Sequence, residues 1–464
     1  MIALSAAEIC AIIKGELHGD PKVIVSKPAV FDSRDAVEGS LFLALIGDKE
    51  DGHDYVDAAI SNGAVLTFAT KEVAGNYIIV KDVVAAVSEL AHFVRTRLSD
   101  MKVVGITGSQ GKTSTKDLLR AICATSGKTV APVASFNNEL GVPLTLLLCD
   151  ESTKYCIIEM GARHKGDIAK LCSIVKPDIG VVLRVGNAHI GEFGSQEAIS
   201  QTKSELIQAL PSSGIAILGS YDPHTLAMKS IHKGTTLIFG ENQSDDIRAA
   251  DIEIREGRAH FDLVTPDGRD AVGLRLVGTH HVANALAAAA VATSLGISIE
   301  VIAGALSTAD ITSKWRMELH EIDGLMLIND SYNANPESMA AALHTLRLFA
   351  QERGGESWAF IGKMHELGES SDADHAGIGT LASELGIDHL VCVGAPQYGA
   401  KIAASSATTV HLCEDKVAAL AVAAHINPGD VALVKASRSE KLEELADAIS
   451  AQWMARIESS QENA

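Results

Sequence analysis

The chain has 464 residues, 47% of them apolar, too long for one core and suggesting about three domains. A formal net charge of −20 without clustered Lys and Arg argues against nucleic acid as the main partner, because phosphate contacts need concentrated cations. Seven cysteines stand singly with no C-x-x-C pair, which indicates a reducing compartment and neither zinc nor disulfides; with no signal or membrane segment visible, the expected location is the cytoplasm.

Residues 1–99 read as a small α/β domain. It has an opening helix at Ala6 to Ile13, short strands near Val23 to Val25 and Leu41 to Ala44, and a helix from Val56 to Asn62. Two polar loops stand beside those strands, Asp32-Ser33-Arg34 and Gly47 to Tyr55. Ser33 and Arg34 could hold a diphosphate or nucleotide; taken alone, both loops are better read as solvated turns.

A second domain, 100–312, opens with VVGITGSQGKTSTK, Val103 to Lys116. A β-branched strand runs into a glycine-rich turn and then a helix expected over Thr113 to Cys123, which is the build of a phosphate cradle. Gly108 and Gly111 let the backbone N–H groups turn inward toward the anion. Lys112 would reach the outer phosphates, and the Thr113 hydroxyl is placed to ligate Mg²⁺. The spacing departs from the eight-residue Walker pattern, whose first glycine would fall at Ile106.

A βα rhythm follows, with strands at Tyr155 to Ile158, Ile179 to Val185, Ile215 to Leu218 and Thr236 to Phe239. Ligands of a parallel sheet sit at strand carboxyl ends, so Glu159 and His189 should meet the cradle in a Mg²⁺ site. For His189 alone, a structural role is an equal reading. Helix Gln196 to Leu210 carries Lys203 and Glu205, expected on a solvated face. An Ala-rich helix, His281 to Leu295, has Asn284 in its first turn, where an amide could read an adenine edge.

The pattern weakens from Leu306 to Ser313, which marks a boundary. Residues 313–464 read as a Rossmann-like doubly wound sheet with strands Met326 to Ile328, Trp358 to Ile361, Leu390 to Val393 and Val431 to Val434. Helices are expected at Pro336 to Ala350, Ala373 to Leu385, Lys416 to His425 and Ser439 to Ser450. Polar loops after the strands run from Asn329 to Pro336, with Asp330 and Asn333, then from Gly362 to Gly368, then from Lys435 to Ser439. The fold class is therefore α/β in three domains: a small N-terminal α/β domain, a central P-loop-type parallel sheet and a C-terminal Rossmann-like domain.

The motifs DSR, TGSQGKT, NNELGVPLTLL (Asn137 to Leu147), EMGA, AHIGEFGS, TKSE, HHVANALAAA, DSYNANPESM and KASRS occur in the order found in the Mur ligases. Over essentially the whole chain the sequence resembles that family, ATP-dependent amide-forming enzymes of peptidoglycan assembly. It is most similar to the branch that adds D-Ala-D-Ala to UDP-MurNAc-tripeptide through an acyl phosphate. The resemblance implies ATP and Mg²⁺ as cofactors, with Lys112 and the Gly108–Ser114 cradle on the phosphates. It implies Thr113, Glu159, His189 and a carbamylated Lys203 on Mg²⁺, and Lys112, His189 and Lys203 as catalytic. It places Asn284, Asp330 and Asn333 at the nucleotide, Ser33 and Arg34 at the UDP-sugar, and Asn137, Asn138, Lys435 and Arg438 at the substrates. Family members are commonly monomeric, and closure of the third domain over the second, hinged near Ser307 to Ser313, is implied as well.

Three positions depart from the family pattern: Lys363 replaces an acid, His281 an asparagine and Ala436 a glycine. Rival readings are another ligase of the superfamily such as a folylpolyglutamate synthetase, an ATP-binding regulator or scaffold, and a switch-type P-loop NTPase. DSYNANPESM argues against the first. The strand ending in Glu159 rather than Asp argues against the last.

Overall fold

The computed structural model describes residues 1–132, 136–186, 190–310, 313–403 and 405–462, with side chains as far as Ser459. Among these residues the strands gather into a five-stranded, a nine-stranded and a six-stranded sheet, plus one two-stranded pairing.

The five-stranded sheet runs in the order Glu16–His18, Tyr77–Ile79, Ala64–Ala69, Ser40–Leu43, Ala29–Val30, parallel except for its first pair. Helix Ala6–Ile13 stands where the sequence places it, because Ser5 and Glu8 close a capping box ahead of an apolar run. Helix Val83–Arg97 was not foreseen. It buries Val87, Leu90, Ala91 and Val94 in a core that continues into the next sheet through Val103, Val142, Leu146 and Ile158. The buried Arg95 clamps this junction, donating to the Val175 carbonyl at 3.0 Å and pairing with Asp178 at 3.0 Å. The expected boundary at residue 99 thus parts two sheets but not two cores.

In the nine-stranded sheet Lys102–Thr107 lies between Tyr155–Glu159 and Ile179–Val182, all parallel. Thr129–Val130 extends it beyond Tyr155–Glu159; Ile215–Gly219, Thr235–Gly240 and Ile247–Arg255 extend it on the other side. Val103, Val104 and Ile106 are wholly buried, as in a parallel sheet covered on both faces. The cradle helix Lys112–Ala124 packs against the Ala-rich helix His281–Ser294, whose residues from Ala285 to Ala292 are all fully buried. Arg258–Thr265 and Gly268–Val277 add antiparallel strands at the sheet's end. These were not foreseen, although Arg258–Thr265 alternates buried and half-buried residues with the period of a one-sided strand.

The six-stranded sheet has the order Glu318–Ile322, Leu325–Asn329, Val431–Lys435, Ser357–Ile361, His389–Val393, Thr409–Cys413 and is parallel except at its first pair. Separate apolar clusters cover its two faces, as expected of a doubly wound sheet. Both edge strands escaped the sequence reading. The last helix is Glu443–Glu462, later than expected, because Arg438–Glu440 forms a 3-10 turn closed by Lys441 at φ 52°. Helix Ile299–Thr308, also unforeseen, takes up the start of the expected hinge: Ser307 donates to the Ala303 carbonyl and accepts from the Gly273 amide. Residues 311 and 312 of that hinge lie outside the described residues. No described helix is long and apolar enough to cross a membrane.

Candidate active site

A cavity of about 910 Å³ opens between the carboxyl ends of the nine-stranded and six-stranded sheets. One wall is the cradle. Strand Lys102–Thr107 ends and helix Lys112–Ala124 begins at Gly111, which has φ 81°. A Cβ there would come within 2.2 Å of the Asn284 side-chain oxygen, so only glycine fits both the turn and the contact. No described side chain caps this helix, and its first-turn residues Lys112, Thr113 and Ser114 line the cavity with Gly108, Ser109, Gln110 and Gly111. That end of a helix favours an anion. Ser109 fixes the loop by accepting from the Gly186 amide at 2.8 Å, while the Lys112 ammonium folds back onto the Gly108 carbonyl at 2.8 Å. Burial holds the Lys112 ammonium below the usual lysine range; Arg316 adds to that shift and Glu159 opposes it.

Thr113 donates its hydroxyl hydrogen to Glu159 Oε2 at 2.8 Å, and the Asn137 amide donates to Oε1 of the same carboxylate at 2.9 Å. Glu159 is 2% exposed, and the pairing strand places it beside the cradle. Asn138 also lines the cavity, and its side-chain oxygen accepts from the Gly141 amide at 2.9 Å. Lys203 and Glu205 are not on a solvated face: both are buried, because helix Gln196–Gln208 packs on strand Ile179–Val182 and helix Asp167–Val175. Lys203 lines the cavity, and burial, with Lys112 nearby, lowers its pKa to about 7. Glu205 instead caps helix Asp167–Val175, accepting from Gly166 and Ala169 amides at 2.7 and 3.0 Å.

The opposite wall comes from the six-stranded sheet. Lys435 is buried and committed to Asp330 Oδ2 at 2.6 Å and the Asn333 carbonyl at 2.8 Å, which fixes the loop bearing both residues. Arg438 is exposed, lies over the Trp315 ring at 4.4 Å and pairs with Glu443. Gln110 of the cradle donates to Glu337 Oε2 at 2.8 Å across the cleft. Sequence reasoning missed Arg316, which stacks on Tyr332 at 4.1 Å and donates to the Thr113 hydroxyl at 2.9 Å. Only the WRME run beside the boundary could have signalled it.

The cavity therefore gathers the cradle with Thr113, Asn137, Asn138, Glu159, Lys203, Asn284, Asp330, Asn333, Lys435 and Arg438. Ser33 and Arg34 are not among its lining residues. They lie in a 3-10 turn where Arg34 makes a bidentate contact with Asp32 and the Ser33 carbonyl accepts from Asn62. His189 lies outside the described residues. Of the three departures, the Lys363 side chain is exposed and does not line the cavity. Ala436 is buried and absent from the described residues with positive φ, so the strain that would demand glycine is not there. His281 is buried, held well below the usual histidine range by burial, then by His280 and Arg316, and leaves Asn284 facing the cradle.

Residues 106–292 match the Mur ligase middle domain, and residues 315–438 match the Mur ligase glutamate ligase domain. The chain is 40% identical to the UDP-N-acetylmuramoyl-tripeptide–D-alanyl-D-alanine ligase of Mycobacterium tuberculosis, covering 97% of this chain and 98% of that protein. The chain belongs to the Mur ligase family. It is an ATP-dependent ligase, and it is also 34% identical to the enzyme of the same name from Escherichia coli, over 97% of this chain and 99% of that one. Among solved Mur ligases, MurF from Acinetobacter baumannii superposes with a TM-score of 0.85 at 31% identity, covering 97% and 99% of the two chains. MurF from Thermotoga maritima, solved in complex with ADP, superposes at 0.78 with 28% identity over 93% and 99%.

Proposed function

We propose that this chain joins D-alanyl-D-alanine to UDP-N-acetylmuramoyl-tripeptide in the cytoplasm, acting as a monomer. The observation that carries this reading is the convergence of the cradle, the Thr113–Glu159 pair and the third sheet's loops on one cavity. Residues 1–99 bind the UDP-sugar through Ser33 and Arg34, 100–312 bind ATP, and 313–464 take the dipeptide and close over ATP.

A carboxylate oxygen of the tripeptide bonds to the γ-phosphorus while the bond to the β-phosphate oxygen breaks, giving an acyl phosphate and ADP. The dipeptide amine then adds to the acyl carbon, loses a proton, and expels phosphate. An anion approaching a polyanion needs positive charge between them, which Lys112 and Arg316 supply from two sides. Asn284, Asp330 and Asn333 hold the nucleotide; Asn137, Asn138 and Arg438 face the substrates, and Lys435 keeps Asp330 in place. Water must stay out, because an acyl phosphate hydrolyses when wet.

The donor set suits Mg²⁺: a hydroxyl and a carboxylate oxygen side by side, with no cluster of three or more His, Cys, Asp or Glu among the described residues. Such a site leaves places for phosphate oxygens and water. Thr113 and Glu159, with His189 and carbamylated Lys203, would hold the ion, which when bound neutralises phosphate charge.

Labelling the tripeptide carboxylate with ¹⁸O tests the intermediate. The released phosphate should carry one labelled oxygen; phosphate free of label would refute the acyl-phosphate route.

A further inference from the structure

One turn beyond Thr113, the cradle helix carries Lys116 and Asp117, whose side chains are 0% and 2% exposed and paired at 3.0 Å. Neither lines the cavity. A buried ion pair is weak evidence for stability, since two charges must be desolvated to make it and an apolar pair of similar volume often does as well. Its contacts point to another role. Lys116 Nζ donates to the Pro132 carbonyl at 2.6 Å and to Ser313 Oγ at 3.4 Å, and the Ser313 amide donates to Asp117 Oδ2 at 3.3 Å.

Two chain segments are thereby tied to one point of the helix. Asn137, which holds Glu159 Oε1, follows Pro132 in sequence across residues 133–135, which lie outside the described residues. From Ser313 the second leads to Arg316, which reaches Thr113. The described segment from Ser313 to Arg316 thus carries a cation to the hydroxyl–carboxylate pair.

We propose that Lys116 and Asp117 are positioning residues for the ligation, a buried brace that, through Ser313, sets how Arg316 meets Thr113 and Glu159. The inference rests on the reading of Thr113 and Glu159 as the phosphoryl-transfer centre. Geometry lost there costs turnover rather than nucleotide capture, since misplacement of about 1 Å can cost about a hundredfold.

The test compares Lys116→Met/Asp117→Leu with wild type in melting temperature, kcat and the KM for ATP. Removing both charges avoids the stranded buried charge that either single change would leave. The double variant should melt near wild type and keep its KM within about threefold while kcat falls about ten- to a hundredfold. In an Arg316→Ala background the same double change should lower kcat much less, because part of its route is already gone. Should the double variant fail to fold, Asp117→Glu keeps the charge but displaces Ser313, and the same kcat-specific loss is expected. Wild-type kcat in either folded variant overturns the brace. If Arg316→Ala and Asn137→Ala leave kcat unchanged, the centre itself is misread and the brace falls with it; if they lower kcat and the brace variants do not, only the brace fails.

Discussion

The Thr113 hydroxyl donates to Glu159 and accepts from Arg316, so a single side chain joins the cradle, the neighbouring strand and the segment that leads into the third sheet. Arg316→Ala should lower kcat about a thousandfold with modest change in ATP KM, as loss of a transition-state cation does; steady-state kinetics at saturating substrates reads this. Lys112→Ala should cost about a hundred- to a thousandfold. Lys203 supplies a pH dependence. Its pKa, lowered to about 7 by burial, leaves the amine neutral above that pH and able to add to CO₂, and protonated and inert below it. A carbamate signal from ¹³C-bicarbonate should therefore rise as pH climbs through about 7 and be missing in Lys203→Ala. A signal unchanged by that substitution would exclude Lys203 as its source.

At the scale of elements, helix Pro336–Arg353 carries one side of the cleft on its first turn. Asn335 caps it in a capping box with Ser338 and lies 3.4 Å from the Gln110 amide, which also bonds Glu337. Asn335→Ala should cost about 1 kcal/mol, visible as a lower melting temperature. The Ala-rich helix His281–Ser294 works by being narrow, since Ala287 to Ala290 are fully buried beside the cradle helix. Ala288→Leu should destabilise by about 1–3 kcal/mol in denaturant titration, because nothing there can yield without moving the cradle. A neutral result would mean the two helices are less closely packed than they stand.

Across the whole molecule, Gln110–Glu337, Arg163–Glu366 and Arg316–Thr113 bridge the central and third sheets around the cavity, and Phe349 packs beside Gly257 further out. Much of this was legible. The cradle, the strand end at Glu159, the loop bearing Asp330 and the strand end at Lys435 each lie at the end of an apolar run, which local pattern shows, although the run expected to Val185 leaves the sheet at Val182. What escaped was set by tertiary contact. Lys203 and Glu205 read as solvated because their helix looks amphipathic, and only its packing buries them. Arg316 reaches the cradle because the chain folds back from a junction with no periodic pattern. The hairpin strands from 247 to 277 have alternation, but a mixed sheet edge does not announce which sheet it extends.

The most direct test of the ligase account is phosphate release from ATP and Mg²⁺ with UDP-MurNAc-tripeptide, with and without D-Ala-D-Ala, in wild type and Lys112→Ala. Release that requires both substrates and falls about a hundred- to a thousandfold in the variant is the expected result. Nucleotide binding with no phosphate released under any combination of substrates would contradict it.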